Sequence, residues 1–253
     1  MRLDGICAIA VMAKAPRPGH VKTRLQGVLS AEEASQVGAA FLGDVTANVL
    51  ASARTAPVHA YVAYAPAGQE ARFDGVLPPG ARLMLADGTD GEAPGVEGFG
   101  RSLLHAIRGL LGMGYGAACV LNADSPTLPP AWLVDAAARL LAPGRRAVFG
   151  PADDGGYWLL GLQTPEAEMF ARIAWSTDSV AAATADRAQD IGLPLERLGT
   201  WFDIDDRDGL DRLVRGLDVP GHGPDAPFAA PATACCIAAL GLRGRLAALA
   251  PGA

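Results

Sequence analysis

Four basic side chains crowd one short stretch of this chain. Lys14, Arg17, Lys22 and Arg24 fall within Ala13-Lys14-Ala15-Pro16-Arg17-Pro18-Gly19-His20-Val21-Lys22-Thr23-Arg24-Leu25. Gly19 and the two prolines force a turned backbone there. A turned, cationic loop suits a multiply charged anion such as a triphosphate. Of the 21 basic residues only two are lysine, and both lie in this loop. A sequence that otherwise uses arginine thus keeps two compact ammonium groups where point charges would meet phosphate. The loop is not a P-loop, because Gly19-His20-Val21-Lys22-Thr23 lacks the GxxxxGK[ST] spacing. Gly95, Gly98 and Gly100 are misspaced for a dinucleotide-binding GxGxxG.

Three acidic motifs complement the loop. In Leu121-Asn122-Ala123-Asp124-Ser125-Pro126, Asp124 stands where a buried apolar run meets a loop. That is a position for a hard-cation ligand, or for an Asp that caps the following turn. Gly150-Pro151-Ala152-Asp153-Asp154-Gly155-Gly156-Tyr157 sets two carboxylates and two glycines between two apolar runs. Asp-Gly there is a strong hairpin signal; the functional alternative has Asp154 bind a hydroxyl or a metal. In Trp201-Phe202-Asp203-Ile204-Asp205-Asp206, alternation puts Asp203 and Asp205 on one face of an extended segment. Two like charges so placed call for a cation, although Asp205 or Asp206 can also cap the next helix. The four histidines are scattered, with no HExxH, triad or GxSxG arrangement to support a hydrolase or a zinc site.

The elements that must hold these motifs are short apolar runs alternating with helical stretches. Strands are expected at 6–13, 58–64, 82–85, 117–121, 147–150, 157–162 and 195–198. Helices are expected from a Ser30/Glu33 capping box to about 53, and near 100–111, 131–141, 165–172, 178–191 and 207–217. Such interleaving predicts an α/β fold with a mostly parallel sheet covered by helices on both faces. Ligands in such folds bind beyond the carboxyl ends of the strands, which is where the basic loop and Asp124 fall. From 219 to 231 the chain turns Pro- and Gly-rich and reads as a linker. Residues 232–253 read as a helical extension, docked on its own domain or forming a homodimer contact.

Composition closes off several classes. Half of the 253 residues are hydrophobic and 19% are charged, which excludes a disordered chain. A net charge of −6 argues against a nucleic-acid partner. Mean hydropathy is +0.21, yet no apolar run reaches the length of a membrane span. Four cysteines without metal spacing fit a reducing, cytoplasmic setting.

Taken together and in order, AKAPRPGHVKTRL, NADSPTLP, GPADDGGYWLLGL, IAWSTDSV and WFDIDDRDGL resemble the bacterial family of radical-SAM/selenodomain-associated transferases, also labelled arsenosugar-biosynthesis glycosyltransferases. The resemblance spans residues 9 to about 217. It implies the GT-A fold of nucleotide-diphospho-sugar transferases as one domain over 1–218. The KTRL string is also similar to the KSRL of the more distant phospholactate guanylyltransferases. Carried over by position, Asp124 matches the first metal ligand and Asp205 the second, with Asp203 beside it. Lys14, Lys22 and Arg24 match the phosphate-binding loop, and Gly98–Arg101 the segment that approaches the nucleotide. Asp154-Gly155-Gly156 and Trp175-Ser176-Thr177 match the acceptor side. The chain departs from the family in Asp-Ser-Pro, where Asp-Cys-Pro is commoner, and in Gly-Val-Glu-Gly before Phe99, where a Gly-Asp-Leu-Gly-like string is commoner.

The expectation is therefore a Mg²⁺- or Mn²⁺-dependent transferase. Asp124, Asp205 and Asp203 would be the metal ligands, Lys22 and Arg24 would neutralise phosphate charge, and Asp154 would orient the acceptor. Lys14, Gly19, Thr23, Arg101, Ser125, Gly155, Gly156, Trp175, Ser176 and Thr177 complete the substrate-binding set. The partners would be a nucleotide-sugar or nucleoside triphosphate and a small-molecule acceptor, without nucleic acid or membrane. Glycosyl transfer leads. Nucleotidyl transfer with release of pyrophosphate, and a catalytically silent nucleotide-binding regulator, are the alternatives.

Overall fold

The computed structural model describes residues 2–219 and 221–249. Seven strands, β1 (Cys7–Lys14), β2 (Val58–Ala65), β3 (Arg82–Leu85), β4 (Ala117–Leu121), β5 (Ala147–Pro151), β6 (Tyr157–Leu162) and β7 (Leu195–Arg197), form one sheet in the order β3-β2-β1-β4-β6-β5-β7. All neighbours run parallel except β6, which is antiparallel to both β4 and β5. The chain is thus a mixed α/β domain with a mostly parallel sheet, as expected from the sequence.

Alternation along the strands sorts the core into two layers. Ile9, Val11, Val58, Ala60 and Val62 face helices α1 (Ala31–Ser52) and α3 (Pro130–Leu141). Ala8, Ala10, Ala63, Ala118 and Val120 face α2 (Phe99–Gly112) and α4 (Val180–Asp190). Because both faces are covered, β1 and β4 read as continuous apolar runs rather than alternating ones. α1 starts where its capping box places it. The Ser30 hydroxyl accepts from Glu33 N at 3.2 Å, and the Glu33 carboxylate accepts from Ser30 N at 2.8 Å.

Two expected elements differ. Residues 165–172 form only a single 3₁₀ turn, Ala167–Phe170, instead of a helix. Met169 and Phe170 are both fully buried, and the chain then folds back so that Arg172 N donates to Gly95 O. Those two side chains pull the stretch onto the core, where the chain turns back before a second helical turn can form. The expected single helix after 231 is two, α6 (Pro231–Ala239) and α7 (Leu242–Ala248), broken at Gly241, whose φ of 60° ends the first in a left-handed cap.

These last helices are no separate appendage. Ile237, Leu242 and Leu246 join Leu25, Phe41, Ile204, Leu210 and Leu213 in a third apolar cluster, shared with α1 and α5 (Arg207–Gly216). The buried Asp44 carboxylate on α1 accepts from Ala232 N at 3.1 Å and Thr233 N at 2.6 Å, capping α6 from another helix. Glu33 pairs with Arg245, which holds its carboxyl down to about 2. Of the Pro- and Gly-rich stretch 219–231, Pro220 lies outside the described residues, as do 250–253 of the extension. Asp44→Ala leaves two α6 N–H groups without a partner, one of them buried. It is expected to cost roughly 2–4 kcal/mol, read as a lower urea midpoint with an unchanged m-value. Asp44→Asn, which keeps an acceptor oxygen, should lose less than half of that.

Candidate active site

A cavity of about 380 Å³ opens at the carboxyl ends of β1, β2, β3 and β4, within the range of small-molecule sites. Strand order reverses direction between β1 and β4, and open α/β sheets bind ligands at that switch point. The basic loop forms one side of it, with Lys14, His20, Lys22, Thr23 and Arg24 in the wall. Asp124 and Asp205 also line it, in contact with Lys22. Ala63, Ala65, Ala86, Phe99 and Ser102 make a small-residue recess with one exposed aromatic ring.

Asp124 is fixed from both directions. It follows β4, and its carbonyl accepts from Ile204 N at 3.0 Å, so the segment carrying Asp203 and Asp205 is laid alongside it. Ser125, fully buried, donates to Phe202 O at 2.9 Å and fastens the same two segments. Its hydroxyl is therefore a structural tie and does not face either cavity, contrary to its expected substrate contact. Asp206 caps α5 by accepting from Gly209 N at 2.9 Å, which leaves Asp205 free to turn to the site.

Lys22 occupies the centre. Its ammonium lies 2.7 Å from Asp124 Oδ1, 3.0 Å from Asp205 Oδ1 and 2.5 Å from the Ile204 carbonyl. The side chain is only 7% exposed. Burial alone would favour the neutral amine, but the two carboxylates outweigh it and hold the Lys22 pKa above its ordinary value. Arg24 Nη1 adds a looser contact with Asp205 at 3.5 Å.

A second cavity of about 280 Å³ adjoins the first. Arg24 and Asp205 are common to both walls. Asp153, Asp154, Asp203, Asp206 and Asp208 also line it, against Arg212. Arg212 is already engaged, by Asp153 at 2.5 Å and by the Phe202 ring at 3.9 Å. The Asp203 carboxyl is pushed up to about 7 by burial first and then by the charges of Asp154 and Asp205. Asp154 lies in the β5–β6 hairpin turn that its Asp-Gly sequence predicts, with Oδ1 accepting from Gly156 N at 2.8 Å. The hairpin reading of that motif holds, and Asp154 also lines the second cavity.

Sequence and structure diverge for the rest of the expected set. Gly19 takes φ 77° and shapes the loop without lining either cavity. Gly155 and Gly156 shape the hairpin. Arg101 turns away, its Nε donating to Gly88 O at 3.1 Å. Trp175 packs edge-on against Phe99, and Thr177 donates to Ala174 O; with Ser176 they stand outside both cavities. Met12, Ala63, Ala65, Ala86, Phe99 and Ser102 escaped sequence reading, since small residues at strand ends look like any core. Arg212 likewise reads as a solvated helix face.

The donor set suits a hard divalent cation. Asp124 and Asp205 aim two carboxylate oxygens at one point, where a cationic group already sits, and Mg²⁺ and Mn²⁺ prefer such oxygen ligands. Asp203 is not part of that convergence and lies on the second cavity's side. Among the described residues no three acidic, His or Cys side chains stand together as a metal group. A divalent cation would thus be held by two carboxylates plus phosphate oxygens and water, a usual arrangement for Mg²⁺.

Among solved structures, the chain is similar to a protein of Desulfovibrio desulfuricans G20 described provisionally as a nucleotide-diphospho-sugar transferase. The match has 23% identity, covers 98% of each chain and has a TM-score of 0.79. It is also similar to CMP:2-keto-3-deoxy-manno-octonic acid synthetase complexed with CTP, at 9% identity over 85% of this chain and 100% of the other, TM-score 0.53. A third is 4-diphosphocytidyl-2C-methyl-D-erythritol synthase from Anaerococcus prevotii DSM 20548, at 9% identity over 86% and 98%, TM-score 0.51. At these identities the likeness shows a common fold, that of the nucleotide-sugar transferases expected from the sequence. No curated protein matches the chain. No helix among the described residues is long and apolar enough to cross a membrane. Residues 48–177, just over half of the chain, match the model of DUF2064, an uncharacterized protein conserved in bacteria, and the chain belongs to that family.

Proposed function

We propose that this protein is a divalent-cation-dependent transferase that moves a glycosyl group from a nucleotide-sugar to a small hydroxylated acceptor. The observation that carries the reading is the pair of adjoining cavities of opposite character, with Arg24 and Asp205 in the wall between them. The basic cavity suits the nucleoside diphosphate of a donor. Its Lys14 and Arg24 bring positive charge to the phosphates, and the recess at Ala63, Ala65, Ala86 and Phe99 offers apolar surface to a base. Asp124 and Asp205 would hold Mg²⁺ or Mn²⁺, which would supply Lewis-acid stabilisation to the departing diphosphate. Arg24, at the boundary, faces the charge that develops on that leaving group. Asp154 and Asp203 face the acceptor side, where carboxylates accept hydrogen bonds from hydroxyls and orient them for attack.

The second cavity also bears on the reaction type. Six aspartates line it, and of its two arginines one is neutralised by Asp153 and the other leans to Asp205. A phosphorylated acceptor, as nucleotidyl transfer requires, would meet net repulsion there; a sugar or polyol would not. The string-level similarity to the radical-SAM/selenodomain-associated transferases supports glycosyl transfer as well. The second reading, nucleotidyl transfer, rests on the density of the basic loop, which could cradle a triphosphate, and on the fold shared with two cytidylyl-type synthases.

Product analysis separates them. The purified protein is incubated with Mn²⁺, a panel of nucleotide-sugars and nucleoside triphosphates, and mixed polyol and sugar-phosphate acceptors. Release of a nucleoside diphosphate from one nucleotide-sugar is the expected result. Pyrophosphate released from a triphosphate would establish the second reading. Binding without turnover in any mixture would make the protein a nucleotide-responsive regulator.

A further inference from the structure

Three protein oxygens surround the Lys22 ammonium: it donates to the Ile204 carbonyl and to Asp205 Oδ1, and it pairs with Asp124 Oδ1 at 2.7 Å. Enclosed in this way and only 7% exposed, the Lys22 ammonium is committed to protein oxygens rather than to a phosphate while it stays where it is. Its stem is seated equally firmly. The ammonium lies 5.6 Å from the Phe41 ring centroid, and the stem passes alongside Gly38 of α1. The backbone of Lys22 is held in the left-handed region, φ 49° and ψ 40°, directly before the 3₁₀ turn of Thr23–Gly27. Such a conformation costs a β-carbon-bearing residue about 1 kcal/mol and persists where surroundings enforce it.

The same two Oδ1 atoms are the ones the cation reading requires. A divalent ion and an ammonium cannot share them, because two cations within about 3 Å repel strongly in a half-buried site. We propose that Lys22 is a displaceable internal cation: its ammonium holds the Asp124–Asp205 pair together in the free protein, and a divalent ion must expel it into the basic cavity, where it becomes available to phosphate. The inference rests on the cation reading of this site. It assigns Lys22 two positions rather than one, and it makes metal and diphosphate mutually supportive. The metal frees the ammonium for the phosphates, and the phosphates give the expelled ammonium a partner. By linkage each ligand tightens the other by the same factor.

The chain's composition allows a direct test, since Lys14 and Lys22 are its only lysines. In wild-type protein labelled with ¹⁵N at lysine Nζ, the enclosed Lys22 ammonium should give a solvent-protected signal, while exposed Lys14 exchanges rapidly. Saturating Mg²⁺, without nucleotide, should raise the Lys22 exchange rate at least about tenfold and leave Lys14 unchanged. A Lys22 signal that stays protected at saturating Mg²⁺ overturns the proposal. In parallel, Mn²⁺ binding is followed by electron paramagnetic resonance in wild type and Lys22→Met. With the competitor gone, the variant should bind Mn²⁺ alone at least about tenfold more tightly, which corresponds to about 1.4 kcal/mol. Equal or weaker binding by a folded variant overturns the displacement while leaving the cation site itself intact. Absence of Mn²⁺ binding in both proteins removes the cation site and the displacement together. If the variant does not fold, the wild-type exchange measurement decides alone.

Discussion

Asp205→Ala should lower cation-dependent nucleotide binding and turnover by about a hundredfold or more, while the protein stays folded. Asp205 is in the wall of both cavities, accepts from the Lys22 ammonium and faces Arg24. Losing it removes one of the two converging carboxylates and frees two cations from their partner. Removal of a single preorganised electrostatic group of this kind typically costs 10²–10³ in rate. The fold should tolerate the change, because the neighbour Asp206 caps α5 and Ile204 remains buried in the third cluster. Asp206→Ala makes the converse control. It should cost about 1 kcal/mol of stability and leave cation-dependent binding within a few-fold of wild type. Titration calorimetry of nucleotide with and without Mn²⁺, alongside thermal midpoints, reads both variants.

Gly155→Ala is expected to be among the most damaging single-methyl changes. Gly155 takes φ 89°, and a β-carbon there would lie 2.1 Å from the Asp178 carbonyl oxygen. The obstacle is backbone, so no side chain can swing away to relieve it. Ala181 N also donates to Gly155 O at 2.8 Å, which ties this turn to the start of α4. Overpacking of about 1–3 kcal/mol adds to roughly 1 kcal/mol for the left-handed backbone. A fall of roughly 5–15 °C in thermal midpoint should follow for a domain of this size. The β5–β6 turn carries Asp153 and Asp154, so the second cavity, the proposed acceptor side, should suffer before the basic one. A variant that keeps nucleotide binding but loses turnover would show that order.

Much of the fold could be read from residue pattern. Fully apolar runs marked β1 and β4 because a doubly covered sheet buries both strand faces, and the Ser30/Glu33 pair marked the start of α1 to the residue. The single 3₁₀ turn at 167–170 could not be read, since its geometry is imposed by burial of Met169 and Phe170. Nor could the break at Gly241, where an Ala- and Leu-rich stretch gives helix propensity on both sides. The site divides in the same way. Charged residues with unusual type or spacing, such as the two lysines or the Asp203/Asp205 alternation, are ones that folding places along the two cavities. Ser125, Arg101 and Thr177 also looked functional, but the structure engages their side chains in local ties. The apolar recess and Arg212 gave no signal, because their places beside the two cavities arise only from folding.

The most direct test of cation-dependent transfer from a nucleotide donor is equilibrium binding of a panel of nucleotide-sugars to wild type and Asp205→Ala, each with and without Mn²⁺. One nucleotide-sugar should bind wild type, with an affinity that rises at least tenfold with Mn²⁺, and that gain should vanish in Asp205→Ala. A panel in which nothing binds wild type, or in which Mn²⁺ strengthens binding equally in the two proteins, would contradict it.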